Sequence, residues 1–124
     1  MSAQPKDTAP PVEMVEFEVD GHPVSAPKGS MIIQATDAAK IPVPRFCYHE
    51  KLPIAANCRQ CMVEVEMGGK LVPKPQPACA TPIAPGMKVF TRSPNAMKWQ
   101  RNTMEFLLIN HPLDCPICDQ GGEC

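Results

Sequence analysis

The sequence lacks any run of about 18 apolar residues, so no stretch of it reads as a membrane-spanning helix. Its opening residues, Met1-Ser2-Ala3-Gln4-Pro5-Lys6, have neither the apolar core of a secretory signal nor the Arg-rich amphipathic pattern of a mitochondrial presequence. No block of Lys or Arg stands out, and the net charge is −1, which gives nucleic acid and anionic membrane no electrostatic handle. Neither a G-x-G-x-x-G nor a Walker A run occurs, so dinucleotides and nucleoside triphosphates have no recognisable cradle. Once the candidate metal ligands are set aside, no Ser/His/Asp or Cys/His nucleophile set is left.

Cysteine and proline are abundant instead, with seven Cys and sixteen Pro in 124 residues. The prolines imply many loops and short elements. A chain of this length with 44% hydrophobic residues buries a core unaided, so the cysteines are not needed as staples. Without an export signal, clustered cysteines read as metal ligands in a reducing compartment rather than as disulfides.

The first cluster of thiols is Cys47, Cys58 and Cys61, spaced C-x10-C-x2-C, with Cys79 following after seventeen residues. Four thiolates from one loop and one later position are how a chain holds an iron–sulfur cluster. Ala55, Ala56 and Asn57 are small enough to let the backbone bend close to such a group and point amides at its sulfurs. The second set is His111, Cys115, Cys118 and Cys124, read as H-x3-C-x2-C-x5-C. Gly121-Gly122 supplies the freedom to bring Cys124 back to the Cys115–Cys118 pair. On chemistry alone, a Cys3His set suits tetrahedral zinc as well as iron–sulfur.

Around these sets the pattern is α+β. Val15, Phe17 and Val19 alternate with acidic residues as in a half-buried strand, and Asp20-Gly21 signals a hairpin. Pro23 places the return strand, with Val24 and Ala26, at an edge. Ser30 is the expected N-cap of a helix over Met31–Lys40 with Ile32, Ala35 and Ala39 on one face, ended by Pro42 and Pro44. Met62–Met67 alternates again, with Glu64 and Glu66 as a solvated face, and Gly68-Gly69 turns the chain toward Leu71-Val72. Pro73–Pro77 is expected to be a flexible hairpin tip, and Met87–Thr91 a last short strand. Ser93-Pro94 starts a second helix running to about Asn110, with Trp99 and Phe106 as core and the consecutive residues Phe106–Ile109 buried on several sides. His49 reads as a surface residue or one that sits behind the ligands, because four thiols already complete the first set. Arg59 either offsets thiolate charge or points outward.

The two motifs, in this order and joined by this helix, resemble the start of the large iron–sulfur subunit of respiratory complex I, the NADH-quinone oxidoreductase family. Cys47-Tyr48-His49-Glu50, Asn57-Cys58-Arg59-Gln60-Cys61, Ala78-Cys79-Ala80 and the run His111 to Cys124 carry the resemblance, which extends over about residues 13–124. It implies a ferredoxin-like β-grasp domain with a [2Fe–2S] cluster on Cys47, Cys58, Cys61 and Cys79. It also implies a [4Fe–4S] cluster on His111, Cys115, Cys118 and Cys124. The expected organisation is a disordered tail over 1–12, the β-grasp domain over 13–92, and a helix with the Cys/His cluster-binding loop over 93–124. That family continues past the position of Cys124, so the chain is expected to be an N-terminal portion. The implied work is one-electron relay from a flavin-bearing, NADH-oxidising subunit toward quinone, among the other complex I subunits, on the cytoplasmic side of a bacterial inner membrane. The electron-transfer subunit of an NAD-reducing hydrogenase or formate dehydrogenase is the nearest alternative, and a zinc-stabilised interaction module is the alternative of a different class.

Overall fold

The computed structural model describes residues 11–124, so the tail expected over 1–12 lies almost wholly outside the described residues. Strands β1 (Met14–Val19) and β2 (His22–Pro27) form the expected hairpin, in antiparallel register from Met14 opposite Pro27 to Val19 opposite His22. Asp20 at φ 50° and Gly21 at φ 83° make a turn whose twist suits a two-residue hairpin. Helix α1 (Ile32–Ala38) follows, then β3 (Met62–Met67), β4 (Lys70–Leu71), β5 (Gln76–Pro77), β6 (Lys88–Phe90), α2 (Pro94–Leu108) and a 3₁₀ turn at Cys115–Ile117.

The sheet runs in the order β2-β1-β6-β3-β4, with β5 paired to the start of β3. β1 and β6 lie parallel while their other neighbours are antiparallel. With α1 crossing between the two halves, this is the ferredoxin-like β-grasp arrangement of an α+β fold. β2, with Pro23 and Pro27, is an edge strand, where a missing N–H costs no ladder bond. Alternation places Val15, Phe17 and Val19 of β1 on one face with Val24 and Ala26 of β2, packed with Ile32, Ile33 and Ala35 of α1. Full burial of Ile32 and Ile33 contributes roughly 1.5–3 kcal/mol each.

Four sequence expectations are corrected. The N-cap of α1 is Met31, not Ser30. The helix's first amides are satisfied from elsewhere, Ile32 N–H donating to Thr81 O at 3.0 Å and Ile33 N–H to Ala78 O at 2.9 Å, while within the helix Gln34 Oε1 accepts from the Met31 N–H at 2.9 Å. The Pro73–Pro77 segment is not only a hairpin tip, because Gln76–Pro77 pairs with β3. Glu64 is buried, not solvated, because α2 covers that side of β3 and leaves both faces of the strand enclosed. Finally, α2 ends at Leu108, and Phe106 (78% exposed), Leu108 and Ile109 project outward instead of being enclosed. Trp99 is half-buried.

Helix α2 is held to the sheet mainly by polar bonds, since Ala96 is its one buried residue. Ser93 caps it by accepting from Ala96 N–H at 3.2 Å, with Pro94 at the first helical position. The same hydroxyl donates to Glu64 at 2.6 Å, and Asn95 Nδ2 donates to the other carboxylate oxygen at 3.4 Å. Gln100 Nε2 donates to Met62 O at 2.9 Å and to Thr91 O at 3.0 Å, so one amide spans β3 and the end of β6.

Candidate metal centre

The chain leaves α1 through Ile41–Pro44, and Arg45 ties that exit back to the helix with a two-pronged ion pair to Asp37. This pairing holds the guanidinium above its ordinary range. The guanidinium also lies 5.5 Å from the centre of the Tyr48 ring, which pins the start of the cysteine loop. Beyond it the loop folds back on itself. Cys47 N–H donates to Cys58 Sγ at 3.4 Å, and Gln60 N–H donates to the same sulfur at 3.4 Å. Conversely, the amide of Cys58 holds the Cys47 thiol below its ordinary range against the opposing effect of burial, helped by the amides of Asn57 and Ala56.

Two non-glycine residues make this reversal possible by adopting left-handed backbone, Ala56 at φ 54° and Arg59 at φ 62°. Arg59 is exposed, so its side chain points outward; its carbonyl accepts from Thr103 Oγ1 of α2 at 3.2 Å. His49 is exposed as expected, with Nδ1 accepting from Lys51 N–H at 3.1 Å.

Cys79 reaches the site from the far side. Ala78 N–H donates to Cys61 O at 3.0 Å, and β5 brings the preceding residues along β3. Burial pushes the Cys79 thiol up to about 12, with Cys61, Cys47 and Cys58 as the neighbouring groups that add to the shift. All four thiols of the first set thus share one neighbourhood, with Cys61 and Cys79 buried in the core and Cys47 and Cys58 half-buried toward the surface. Every described cysteine is a free thiol. Were these four thiols to hold a metal group, the Cys79 proton would have to leave, and metal binding would supply the energy to remove it.

The second set is arranged differently. The 3₁₀ turn starts at Cys115, and successive tight turns carry the chain from Cys118 to Cys124. Gly121 N–H donates to Cys118 O at 3.0 Å, and Cys124 N–H donates to Gln120 O at 3.0 Å. Gly122 has φ 88°, the freedom expected of the pair. Gly121 is needed for a different reason: a Cβ there would lie 2.6 Å from Cys115 O and 3.1 Å from Cys118 O. The segment is thus a run of tight backbone turns, a collar that carries Cys115, Cys118 and Cys124, and its three cysteines and His111 are all exposed. Among the described residues, no three His, Cys, Asp or Glu side chains converge on one point as a single ion requires. Neither type of cluster asks for that convergence, because a [2Fe–2S] group takes two donors per iron and a [4Fe–4S] group one.

The donor chemistry fits iron–sulfur groups at both places: four thiols with amides aimed at sulfur at the first, and three thiols with an imidazole on a glycine-shaped collar at the second. The residues that sequence reasoning missed are Gln60, Gln100, Thr103 and Glu64, polar groups that join α2 to the cysteine loop and β3. The signal for them was present in one respect: Gln60 lies inside C-x2-C, where any buried polar side chain demands a partner.

Fold and thiol arrangement together define an iron–sulfur protein of the ferredoxin class. The chain belongs to the family of 2Fe-2S iron-sulfur cluster binding domains, which it matches over residues 12–94. Residues 100–124 match the NADH-ubiquinone oxidoreductase-G iron-sulfur binding region, of the [4Fe–4S] type. The chain is 56% identical over 114 residues to the mitochondrial NADH dehydrogenase [ubiquinone] iron-sulfur protein 1 of Solanum tuberosum, covering 92% of this chain and 15% of that protein. It is 59% identical over 110 residues to the mitochondrial NADH-ubiquinone oxidoreductase 78 kDa subunit of Neurospora crassa, covering 89% and 14%. It is 55% identical over 111 residues to the NADH-ubiquinone oxidoreductase 75 kDa subunit of Reclinomonas americana, covering 90% and 16%. The chain thus spans about a sixth or less of these relatives' lengths. A chain of a NAD+-reducing [NiFe]-hydrogenase in the H2-reduced state superposes with a TM-score of 0.76 at 28% identity, covering 89% of this chain and 44% of that one.

Proposed function

We propose that this chain is the N-terminal electron-relay portion of the large iron–sulfur subunit of an NADH:quinone oxidoreductase. In this reading Cys47, Cys58, Cys61 and Cys79 hold a [2Fe–2S] cluster, and His111, Cys115, Cys118 and Cys124 hold a [4Fe–4S] cluster. Residues 13–92 form the first cluster domain, and 93–124 carry the second. The single observation that carries it is the joint match of both regions, in order, to NADH-oxidising respiratory relatives at 55–59% identity.

Bound iron–sulfur groups supply one-electron storage and outer-sphere transfer. The chain's own residues set the conditions for it. The amides of Cys47 and Gln60 donate to the Cys58 sulfur, and such bonds favour added negative charge. Burial of Cys61 and Cys79 keeps water from one side, while half-exposed Cys47 and Cys58 mark the side open to a redox partner. Imidazole at His111 in place of a thiolate makes the second site one unit less negative.

The proposed setting is a peripheral position on the cytoplasmic side of a bacterial inner membrane, beside the flavin-bearing subunit that oxidises NADH. No helix among the described residues is long and apolar enough to cross a membrane. The hydrogenase likeness, at 28% identity, favours a shared ancestry for the electron-input region, and the higher identities favour the quinone-linked assignment.

Anaerobic reconstitution with iron and sulfide, followed by EPR of the reduced protein, tests the ligand sets. Cys58→Ala is expected to remove the [2Fe–2S] signal alone and Cys118→Ala the [4Fe–4S] signal alone. Native protein without acid-labile sulfide, or with bound zinc and no EPR signal, overturns the assignment. A second expected outcome follows from burial. In the native chain the first set, half of it buried, retains iron through gel filtration better than the second, which is wholly exposed. Equal iron retention at both sites contradicts it.

A further inference from the structure

Gln60 stands between two of the proposed ligands and is only 4% exposed. Its backbone N–H donates to Cys58 Sγ at 3.4 Å, while its side-chain Nε2 donates to Gln100 O of α2 at 3.0 Å. The Gln100 side chain in turn donates to Met62 O at 2.9 Å and Thr91 O at 3.0 Å, anchoring that turn of the helix to β3 and β6. The residue before Gln60, Arg59, holds left-handed backbone at φ 62°, which an unanchored chain of L-residues leaves readily.

Gln60 Oε1 is buried with no hydrogen-bond partner among the described residues. An unpaired buried amide oxygen counts against folding and offsets much of what the Nε2 bond to Gln100 O contributes, so the net gain in stability from a glutamine here is small. What the amide supplies is orientation: it fixes the peptide between Arg59 and Gln60 so that its N–H faces the Cys58 sulfur.

We propose that Gln60 and Gln100 form a latch between α2 and the cysteine loop that raises the reduction potential of the group held by Cys47, Cys58, Cys61 and Cys79. The proposal rests on the ligand assignment above. An N–H on sulfur stabilises the more negative, reduced state over the oxidised one, so freeing that N–H lowers the potential. The Gln60 side chain and Gln100 are positioning groups: they act only by holding the Gln60 backbone N–H on the Cys58 sulfur. The latch also makes the first site dependent on a helix that lies outside the sheet and α1.

The test is a redox titration of the full chain, followed by EPR, with melting temperature measured in parallel. Gln60→Met keeps length and removes the amide. It is expected to shift the reduction equilibrium about tenfold toward the oxidised form, about 59 mV for one electron, and to alter the g values. Its melting temperature stays level or rises. Gln100→Leu, which loosens the anchor from the helix side, shifts the potential in the same direction. Val19→Ala, in the core on β1, lowers the melting temperature and leaves the potential unchanged. A Gln60→Met protein with native iron, sulfide, potential and g values overturns the proposal, as does a Val19→Ala shift of equal size. If Gln60→Met holds no cluster, Gln100→Leu decides by the same readings. Absence of sulfide from the native protein defeats the ligand assignment instead, and is distinguished by assay before any variant is compared.

Discussion

Gly121→Ala is expected to abolish cluster retention by the His111–Cys124 segment while leaving the first set's iron in place. The reason is contact, not conformational freedom. The added Cβ would stand 2.6 Å from Cys115 O and 3.1 Å from Cys118 O, both backbone atoms that cannot swing aside as a flexible side chain does. Relief requires the turns of Gly121 on Cys118 and Cys124 on Gln120 to open, and these turns set the backbone path between the proposed ligands Cys118 and Cys124. A metal site misplaced by this much loses most of its affinity, since ligand distances are tolerated only within about 0.2 Å. Iron and sulfide should fall to the level of one [2Fe–2S] cluster, with its EPR signal intact. Gly122→Ala supplies the contrast. Nothing lies within 4 Å of its Cβ position, and only the left-handed φ of 88° is at issue, costing roughly 1–2 kcal/mol. It should weaken retention without eliminating it. Native loading in Gly121→Ala would show that the collar adjusts, and the steric account would fail.

The largest expected loss of fold stability is that of Asp20→Ala. Asp20 sits at the hairpin tip, and its carboxylate accepts from Thr91 N–H at 2.8 Å and from the Thr91 hydroxyl. Thr91 is 1% exposed, so removing the carboxylate strands a buried N–H and a buried hydroxyl, at about 1–3 kcal/mol each. Alanine at φ 50° adds roughly 1–2 kcal/mol of backbone strain. The sum, about 3–8 kcal/mol, is a large part of a typical domain's margin of about 5–15 kcal/mol. Asp20→Asn, which tolerates left-handed backbone and keeps one acceptor, should lose less than half as much. Urea denaturation of the cluster-free chain checks both. Equal stability of Asp20→Ala and native protein would mean that Thr91 finds another partner. The loss bears on function as well, because Thr91 is where β6 ends and Gln100 takes hold, two residues before the cap of α2.

Short-range rules carried much of this molecule. Val15, Phe17 and Val19 alternate because a pleated strand turns every second side chain inward, and Asp20-Gly21 closes the hairpin because both residues accept positive φ. Ser93-Pro94 starts α2 for reasons contained in two residues. The proposed ligand sets come from the same kind of rule: cluster chemistry demands particular atoms at particular intervals, and C-x2-C states both.

Where the sequence reading missed, a distant segment had supplied what a local residue was expected to supply, or had withheld it. Ser30 is not the cap of α1, because carbonyls of Ala78 and Thr81, more than forty residues on, already meet its amides. Glu64 looked solvated by alternation, yet α2 lies over it and gives its carboxylate Ser93 and Asn95. Phe106–Ile109 looked enclosed by composition, yet of the four only Leu107 is partly covered, and Phe106, Leu108 and Ile109 stand exposed. The sequence by itself determined which atoms are available to grip metal and the longer strands and helices, since both depend on neighbours a few residues apart, but not the two-residue strand Gln76–Pro77, which exists only by pairing with β3. Only the tertiary structure decided that α2 is bolted to the cysteine loop through Gln60 and Gln100, because hydrogen bonds spanning some forty positions leave no periodic trace in the chain.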